Sequence, residues 1–196
     1  STTANPLGYL KYTYTASEIQ PDMLNADITK TTDSPSWSGL YLQYFEKFDQ
    51  VQQQKGILSV TKKLFIEKIG SDGKQELLPL GKEKLKTGDK VITRLTLSLK
   101  QDMDFLYLKD FRAACFEPIG QLSGNQWKFG TVYYEESKDA VTNFFFNSLA
   151  KGTYVLEYPV WVNQAGTYQD GIATFQSMYA PEYTAYSEAG KITVTK

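Results

Sequence analysis

The sequence predicts an all-β protein, an antiparallel β-sandwich preceded by a smaller β-rich segment. Aromatic residues make up 14% of the chain, with 14 Tyr and 11 Phe, and their rings pack well on the pleated surface of a sheet. Several runs alternate between apolar and polar side chains, which is the pattern of a strand with one buried face. Turn residues separate these runs, and roughly seven or eight strands punctuated in this way are typical of a β-sandwich.

Two runs predict strands most clearly. The run 91–99 places Val91, Leu95, Leu97 and Leu99 on one face, with Thr93 among them, and mostly polar side chains on the other. The run 153–162 carries Tyr, Leu or Val at every second position from 154 onward. Pro159 lies within this second run and cannot donate to a strand ladder, so it predicts an edge strand or a bulge.

The remaining strands of the sandwich are predicted from shorter runs. They are expected at 58–66, 104–108, 131–135, 141–146, 171–179 and 191–195. In the first of them, apolar residues 58, 60, 64 and 66 lie on one side. The sequence Ser71-Asp72-Gly73 predicts a hairpin tip, and further turns are expected at 87–89, 123–125, 150–152, 164–166 and 189–190.

The first part of the chain follows a different pattern. Residues 1–56 are expected to form a partial β domain and linker, and residues 57–196 the sandwich. Strands are expected at 9–14 and 37–45, whereas 16–28 is expected to be mostly loop because it contains Pro21 and few periodic apolar residues. Residues 45–54 are expected to form a short helix or a fraying strand, with the boundary at 52–56. The opening residues resemble a linker, so the chain is expected to be a piece of a longer protein.

Composition argues against several classes of function. The net charge is -1, with 21 basic and 22 acidic residues, and no basic block indicates a nucleic acid partner. Histidine is absent, which excludes His-based nucleophilic sites, His general bases and His-ligated zinc. No phosphate loop or calcium loop is present, so no catalytic residue, cofactor or metal is expected. No apolar run reaches the roughly 18 to 20 residues that span a bilayer.

Several individual residues have a structural explanation that is preferred over a chemical one. Cys115, the single cysteine, is expected to be a buried small apolar residue and not a reactive thiol. Glu135 and Glu136 are adjacent on a predicted strand and point to opposite faces, so they cannot flank one glycosidic bond. Core or interdomain packing is preferred over a sugar-stacking platform for Trp37, Trp127 and Trp161.

The most specific local feature is segment 177–183, Ser-Met-Tyr-Ala-Pro-Glu-Tyr. A strand is expected to end at Tyr179, because Pro181 prevents its continuation. Met178 and Tyr179 are then at a strand end beside a long loop, in a position suited to an apolar contact outside their own sheet. The alternative is a loop anchored on its own sandwich.

These segments resemble, in order and spacing, the final macroglobulin-like domain of bacterial alpha-2-macroglobulins. Residues 151–158 resemble the "GTY…Y" strand of that domain, 165–168 the "pGtf" turn after it, and 177–182 the "aMYdPe" segment. Upstream, 88–91 resembles "GDrV", and 104–118 resembles "meyv.l.D.lPaGlEp", with Arg112-Ala113-Ala114 in place of Pro-Ala-Gly. The resemblance covers about residues 57–196. Residues 36–46 resemble the second half of a CUB-like domain.

The resemblance implies an immunoglobulin-like, macroglobulin-like sandwich that belongs to a protease trap. In that family a protease cleaves an exposed region, the molecule rearranges, and a thioester captures the attacker covalently. The thioester motif Cys-Leu-Glu-Gln is absent here and Cys115 is not part of it, so a non-enzymatic role is implied. Residue by residue, Met178 and Tyr179 match the Met-Tyr segment that packs as a lock over the thioester. The implied partners are upstream domains of the same chain and, for the parent protein, target proteases. The implied location is the periplasm or cell surface, with the parent anchored to a membrane as a lipoprotein.

The alternative interpretation is a carbohydrate-binding or adhesin-type β-sandwich, which the aromatic content favours. A sugar binder needs two or three coplanar exposed rings on one face or at loop tips. A trap domain needs its exposed rings where a neighbouring domain would bind.

Overall fold

The computed structural model describes residues 2–4, 8–31, 33–47, 51–53, 56–81, 84–120 and 123–196. The chain divides into two compact units, Ser1–Phe45 and Glu46–Lys196. The boundary expected at 52–56 includes residues 54 and 55, which lie outside the described part of the chain. The division into a partial CUB-like segment and a sandwich therefore stays a prediction.

The first unit contains little regular structure. Strand β1 (Thr2–Ala4) pairs antiparallel with β2 (Leu10–Tyr12), and a 3-10 helix spans Pro21–Leu24. The strand expected at 9–14 is thus present in its central residues, but the strand expected at 37–45 is wrong. A strand needs a neighbour to pair its N–H and C=O groups, and none lies beside 37–45 among the described residues. The described parts of 45–54 also lack regular structure.

The second unit is built from strands throughout its described residues. They are β3 (Leu58–Ile69), β4 (Gln75–Pro79), β5 (Leu85–Lys86), β6 (Lys90–Leu99), β7 (Met103–Phe111), β8 (Phe116–Pro118), β9 (Gly124–Lys128), β10 (Thr131–Ser137), β11 (Val141–Leu149), β12 (Gly152–Val162), β13 (Gly166–Asp170), β14 (Ala173–Ser177), β15 (Thr184–Tyr186) and β16 (Gly190–Thr195).

These strands form three sheets. A five-stranded sheet has the order β4-β3-β6-β12-β8, a six-stranded sheet has the order β15-β14-β7-β11-β10-β9, and a small sheet has the order β13-β16-β5. All pairs are antiparallel except β16 with β5. The all-β antiparallel sandwich predicted from the sequence is confirmed.

The core follows from the alternation of each strand. In β6 the odd-numbered residues from Val91 to Leu99 are buried, Thr93 included, as the pattern predicted. The facing sheet supplies its own alternate residues, of which Leu106, Leu108, Phe144 and Phe175 are almost completely inaccessible to water. Burying such side chains contributes about 1.5–3 kcal/mol each relative to leaving them exposed. Cys115 is fully buried in this core, as expected.

Turn chemistry explains where the predictions succeed and where they fail. The tip at 71–73 is confirmed, with Gly73 at φ +78° and a hydrogen bond from the N–H of Gly73 to the carbonyl of Gly70. The turn expected at 123–125 is wrong, because Gly124 begins strand β9. The actual turn between β9 and β10 lies at Phe129 and Gly130, both at positive φ. Phenylalanine is an uncommon residue in that conformation, so the sequence gives little sign of it.

Pro159 lies at the end of the pairing between β12 and β8. Strand β8 pairs with β12 only from Val160 onward. The carbonyl of Pro159 points to that side and accepts a hydrogen bond from the N–H of Ile119. Pro159 lacks the N–H that would continue this ladder, so the pairing of β8 with β12 ends at this position.

Candidate functional site

The outward side of the six-stranded sheet carries a band of apolar and aromatic side chains. In each strand, alternate residues point away from the core, and neighbouring outward residues meet through the sheet register. Tyr134 is opposite Phe145, Phe145 is opposite Tyr107, and Trp127 is opposite Val132. We call this surface the outer apolar face, and it comprises Phe105, Tyr107, Trp127, Val132, Tyr134, Phe145, Met178 and Tyr179. Such a group of exposed apolar side chains marks an interaction surface more often than scattered single residues do.

Met178 and Tyr179 form one end of this face, which we call the lip. Strand β14 ends at Ser177, and the lip follows directly. The side chain of Met178 is 52% exposed and that of Tyr179 is 78% exposed. The N–H of Met178 donates to the carbonyl of Phe105 at 2.9 Å, and the ring of Tyr179 meets the ring of Phe105 edge-on, with centroids 5.2 Å apart.

The loop after the lip is closed by its own hydrogen bonds. The N–H of Ser177 donates to the carbonyl of Tyr183 at 3.0 Å, and the N–H of Tyr183 donates to the carbonyl of Ala180 at 2.9 Å. The hydroxyl of Thr184 donates to the carbonyl of Pro181 at 2.6 Å. The loop therefore holds the lip in place while leaving both of its side chains largely in water.

The rings of this face that contact one another do not form a flat platform for a sugar. Tyr107 and Phe145 stack with an interplanar angle of 22°, but they stack on each other and are half-buried. The rings of Phe105 and Tyr179 are nearly perpendicular at 89°, and Tyr134 is tilted by 45° from Phe145. Sugar stacking needs coplanar exposed faces, so the geometry of these rings favours docking of a protein surface.

A second feature is a charged cluster buried where the three sheets meet. Lys62 lies on β3, Asp110 on β7 and Asp170 at the end of β13. The Nζ atom of Lys62 lies 3.0 Å from Oδ1 of Asp110 and 2.9 Å from Oδ1 of Asp170. The exposed fractions of the three side chains are 3%, 0% and 12% respectively. The same nitrogen donates to the carbonyls of Phe111 at 2.7 Å and Gly171 at 3.0 Å.

Two further residues complete the cluster. The hydroxyl of Tyr158, on β12, donates to Oδ2 of Asp110. Arg112 is also buried and donates to the hydroxyl of Thr142 and to the carbonyl of Lys138. Arg112 stands where the family pattern has proline, so this departure from the pattern has a local structural role.

Burial and the opposite charge act in opposite directions on the pKa values of Lys62 and Asp170. Burial alone would lower the pKa of Lys62, but Asp110 and Asp170 outweigh it and the pKa is raised. Burial raises the pKa of Asp170, and the nearby Lys62 only partly opposes this effect. Burial, reinforced by Asp110, raises the pKa of Tyr158 well above its usual value. Asp170 thus accepts a proton more readily than an exposed aspartate does.

Sequence reasoning located the lip but missed the charged cluster. The signal was present in β3, where positions 58, 60, 64 and 66 are apolar and inward, and Lys62 occupies the inward position between them. In β7, Asp110 likewise follows Leu106 and Leu108 at the next inward position. A charge at an inward position of a regular strand requires a partner, and the alternation therefore indicated a buried ion pair.

Other kinds of chemistry have little support in the described residues. Across the described ranges no group of three or more Cys, Asp or Glu side chains is arranged to hold a metal ion. Burial raises the pKa of the Cys115 thiol to about 11, which is the reverse of what a nucleophilic thiolate needs. None of the helices in the described part of the chain is long and apolar enough to span a membrane.

Comparison with known structures concerns the fold. The E. coli alpha-2-macroglobulin structure from domain MG7 to the C-terminus is 19% identical with a TM-score of 0.57, covering 74% of this chain and 24% of that chain. The E. coli protein activated by porcine elastase is 20% identical with a TM-score of 0.58, covering 74% and 14%. A Salmonella alpha-2-macroglobulin point mutant is 20% identical with a TM-score of 0.57, covering 74% and 10%. This chain therefore spans at most about a quarter of the length of these three proteins.

Comparison with sequence families is more specific. No curated protein sequence matches the chain significantly. Residues 58–182, however, match the family model described as the bacterial alpha-2-macroglobulin MG10 domain. That match covers well over half of the chain and coincides with the sandwich, so the resemblance seen in the sequence is confirmed and the chain belongs to the bacterial alpha-2-macroglobulin MG10 domain family.

Proposed function

We propose that this chain is the non-catalytic C-terminal part of a bacterial protease trap, and that its lip covers a thioester in an upstream domain of the same polypeptide. The observation that carries the proposal is the exposure of Met178 and Tyr179 on a loop that is itself well ordered by hydrogen bonds. Apolar side chains held rigidly in water are suited to pack against another surface.

The physical role of such a cover is to exclude water. A thioester is an activated acyl group that water or amines cleave unless the site is closed. Tyr179 supplies a broad ring for this purpose, and Phe105 supports that ring from the side. Met178 adds a flexible apolar side chain that adapts to irregular surfaces.

The proposal includes partners and a location. The immediate partners are upstream domains of the parent chain, and the targets of the parent are proteases. A trap of this kind acts in the periplasm or at the cell surface, with the parent anchored as a lipoprotein. The upstream sequence of the parent gene tests both features, because it encodes or lacks Cys-Leu-Glu-Gln and a lipoprotein signal. Residues 1–56 are a partial CUB-like β segment and linker in the same proposal.

The test of the lip uses the thioester-bearing parent protein with Tyr179→Ala. Loss of the cover is expected to raise the rate of spontaneous thioester hydrolysis about tenfold or more, since each 1.4 kcal/mol removed from the barrier gives about a tenfold increase. The rate is measured as free thiol released over time, with and without methylamine.

The matched control is Trp161→Ala, because Trp161 is also exposed but lies on β12 of the other large sheet. It is expected to leave the hydrolysis rate unchanged. An unchanged rate in Tyr179→Ala would show that the lip does not protect the thioester. Binding of the isolated chain to a glycan array would instead favour the carbohydrate-binding alternative.

A further inference from the structure

We propose that Lys62 and Asp110 join in an intramolecular amide bond, with Asp170 relaying the protons. The bond would link β3 of the five-stranded sheet to β7 of the six-stranded sheet through the core. This inference is independent of the lip and of any thioester, since it concerns only side chains inside the sandwich.

Lys62 and Asp110 are held close together in the folded chain. The nucleophilic atom, Nζ of Lys62, lies 3.0 Å from Oδ1 of Asp110, which is bonded to the carbon that would be attacked. Lys62 lies within the long ladder between β3 and β6, and Asp110 is paired with Thr142 on one side and Ala173 on the other. Both groups are therefore held by rigid strands, and fixed proximity of this kind replaces the entropy cost of a bimolecular reaction.

Burial excludes water from the two reacting groups. The side chain of Lys62 is 3% exposed and that of Asp110 is fully buried. Other ion pairs among the described residues are more open, such as Lys90 with Glu67 and Arg94 with Glu157. Condensation to an amide releases water, so a site closed to solvent favours the product and protects it from hydrolysis.

Further polar groups contact both reacting side chains. Tyr158 donates a hydrogen bond to Oδ2 of Asp110, where negative charge would develop as the carbon is attacked. Asp170 contacts the same nitrogen at 2.9 Å, and its raised pKa suits a group that takes up and returns a proton. The carbonyls of Phe111 and Gly171 hold the nitrogen in place.

The reaction balances without any further reactant. An ammonium and a carboxylate together contain the atoms of one amide and one water molecule. The bond between Nζ and Cγ of Asp110 forms, and the bond between Cγ and Oδ1 breaks. Two of the three ammonium protons leave with Oδ1 as water, and the third remains on the amide nitrogen. Asp170 carries protons from Nζ to the departing oxygen, so its own charge is restored at the end.

The main barrier is deprotonation of the lysine. The two carboxylates raise the pKa of Lys62, so the amine that attacks is a minor form. Proton transfer within the cluster converts the ion pair into a neutral amine and a neutral carboxyl, and low polarity favours that neutral pair. The reaction is therefore expected to be slow and to proceed only in the folded chain.

The experiment is an intact-mass measurement on the purified 196-residue chain under denaturing conditions. The mass is expected to be lower than the sequence mass by one water molecule. A tryptic digest is expected to contain one cross-linked species that joins the segment around Lys62 to the segment around Asp110, with no cleavage after Lys62. The chain that lacks the link should also migrate differently on a denaturing gel.

Substitutions at Lys62 and Asp170 test which side chains form the amide bond and which relays protons. Lys62→Arg keeps the positive charge but removes the amine, and Asp170→Asn keeps the shape but removes the relay, so both are expected to retain their full sequence mass. Lys63→Arg is the matched control, because Lys63 is the exposed neighbour in the same strand, and it should still lose one water molecule.

Two results would overturn the proposal. A wild-type chain that is folded, as judged by circular dichroism, and keeps its full sequence mass would show that the cluster is an ion pair only. Loss of water that persists in Lys62→Arg would come from a different reaction. The wild-type measurement alone is decisive, so the conclusion does not depend on whether each variant folds.

Discussion

Gly171 is required by the close approach of the Phe111 backbone. A Cβ atom at position 171 would lie 2.1 Å from the carbonyl oxygen of Phe111 and 2.4 Å from its carbon. These atoms lie at the end of a paired strand and cannot move aside as a flexible side chain does. Glycine is thus required at position 171 because no space is left for a side chain, and not because of an unusual backbone conformation.

Gly171→Ala is expected to lower the free energy of unfolding by about 1–3 kcal/mol, as overpacking of a core usually does. The measurement is urea unfolding followed by circular dichroism. Gly124→Ala is the matched control, since a Cβ there meets nothing within 4 Å. In a strand that change is expected to be neutral or stabilising by up to about 1 kcal/mol. Equal effects at both positions would contradict the contact with Phe111.

Tyr158 gives the fold a dependence on alkaline pH. Burial, followed by the charge of Asp110, raises its pKa in the folded chain, whereas an unfolded tyrosine ionises near pH 10. As the pH rises, Tyr158 therefore loses its hydroxyl proton first in the unfolded state. Its contribution to the free energy of unfolding is complete below about pH 10 and is lost as the pH rises further.

Tyr158→Phe is expected to flatten the decline of stability above about pH 10, because one ionisable group is removed from the unfolded state. At neutral pH the same variant should be less stable by about 1–3 kcal/mol, because Oδ2 of Asp110 loses its donor. Unfolding curves at several pH values measure both effects. Tyr179→Phe, which changes a hydroxyl on the surface, should keep the parental slope.

At the scale of single elements, strand β7 contains an unusual backbone conformation beside the lip. Phe105 has φ +53°, a region that costs a bulky residue about 1–3 kcal/mol. Its carbonyl nevertheless accepts the N–H of Met178, and its ring supports Tyr179. The strain is therefore located where the proposed docking surface is shaped.

Replacing Phe105 by Gly and by Ala separates the backbone from the ring. Both variants remove the contact with Tyr179, but only glycine relieves the positive φ. Phe105→Gly is therefore expected to be more stable than Phe105→Ala by roughly 1 kcal/mol, which reverses the usual order in strands. The measurement is the free energy of unfolding of the two variants. If Phe105→Ala is the more stable of the two, the strand is not strained at this position.

The elements show what the sequence could and could not predict. Long alternating strands such as β6 and β12 were predictable because each has one face in the core. The edge strand β9 was missed because most of its side chains are exposed, so it has no apolar period to detect. The prediction for 37–45 failed in the opposite way. Its apolar residues predicted a strand, but it has no pairing partner among the described residues.

At the scale of the whole molecule, all the core residues that the described ranges contain belong to the second unit. Its buried apolar residues extend from Leu58 to Val194. A chain of residues 57–196 is therefore expected to fold alone and to unfold within a few degrees of the full chain. Thermal unfolding of both forms is the measurement. A truncated chain that fails to fold, while the full chain folds, would show that residues 1–56 are part of the same folding unit.

The candidate site was predictable only in part for a related reason. The lip was recognised from a family resemblance in a short segment, while the outer apolar face required the sheet register that places Trp127, Tyr134 and Phe105 on one side. The charged cluster brings together residues 62, 110, 158 and 170 from three sheets. Such long-range meetings depend on topology, which local patterns do not specify.

The outer apolar face also carries its own optical reporter. Trp127 is 73% exposed and lies on β9, at the end of the six-stranded sheet opposite to β14 and the lip. In a chain with Trp37→Phe and Trp161→Phe, its fluorescence emission would come from this face alone. Covering by another domain would shift that emission to shorter wavelength and protect it from quenching by iodide. Docking of a tryptophan-free partner domain onto this chain would thus be visible in real time without any added dye.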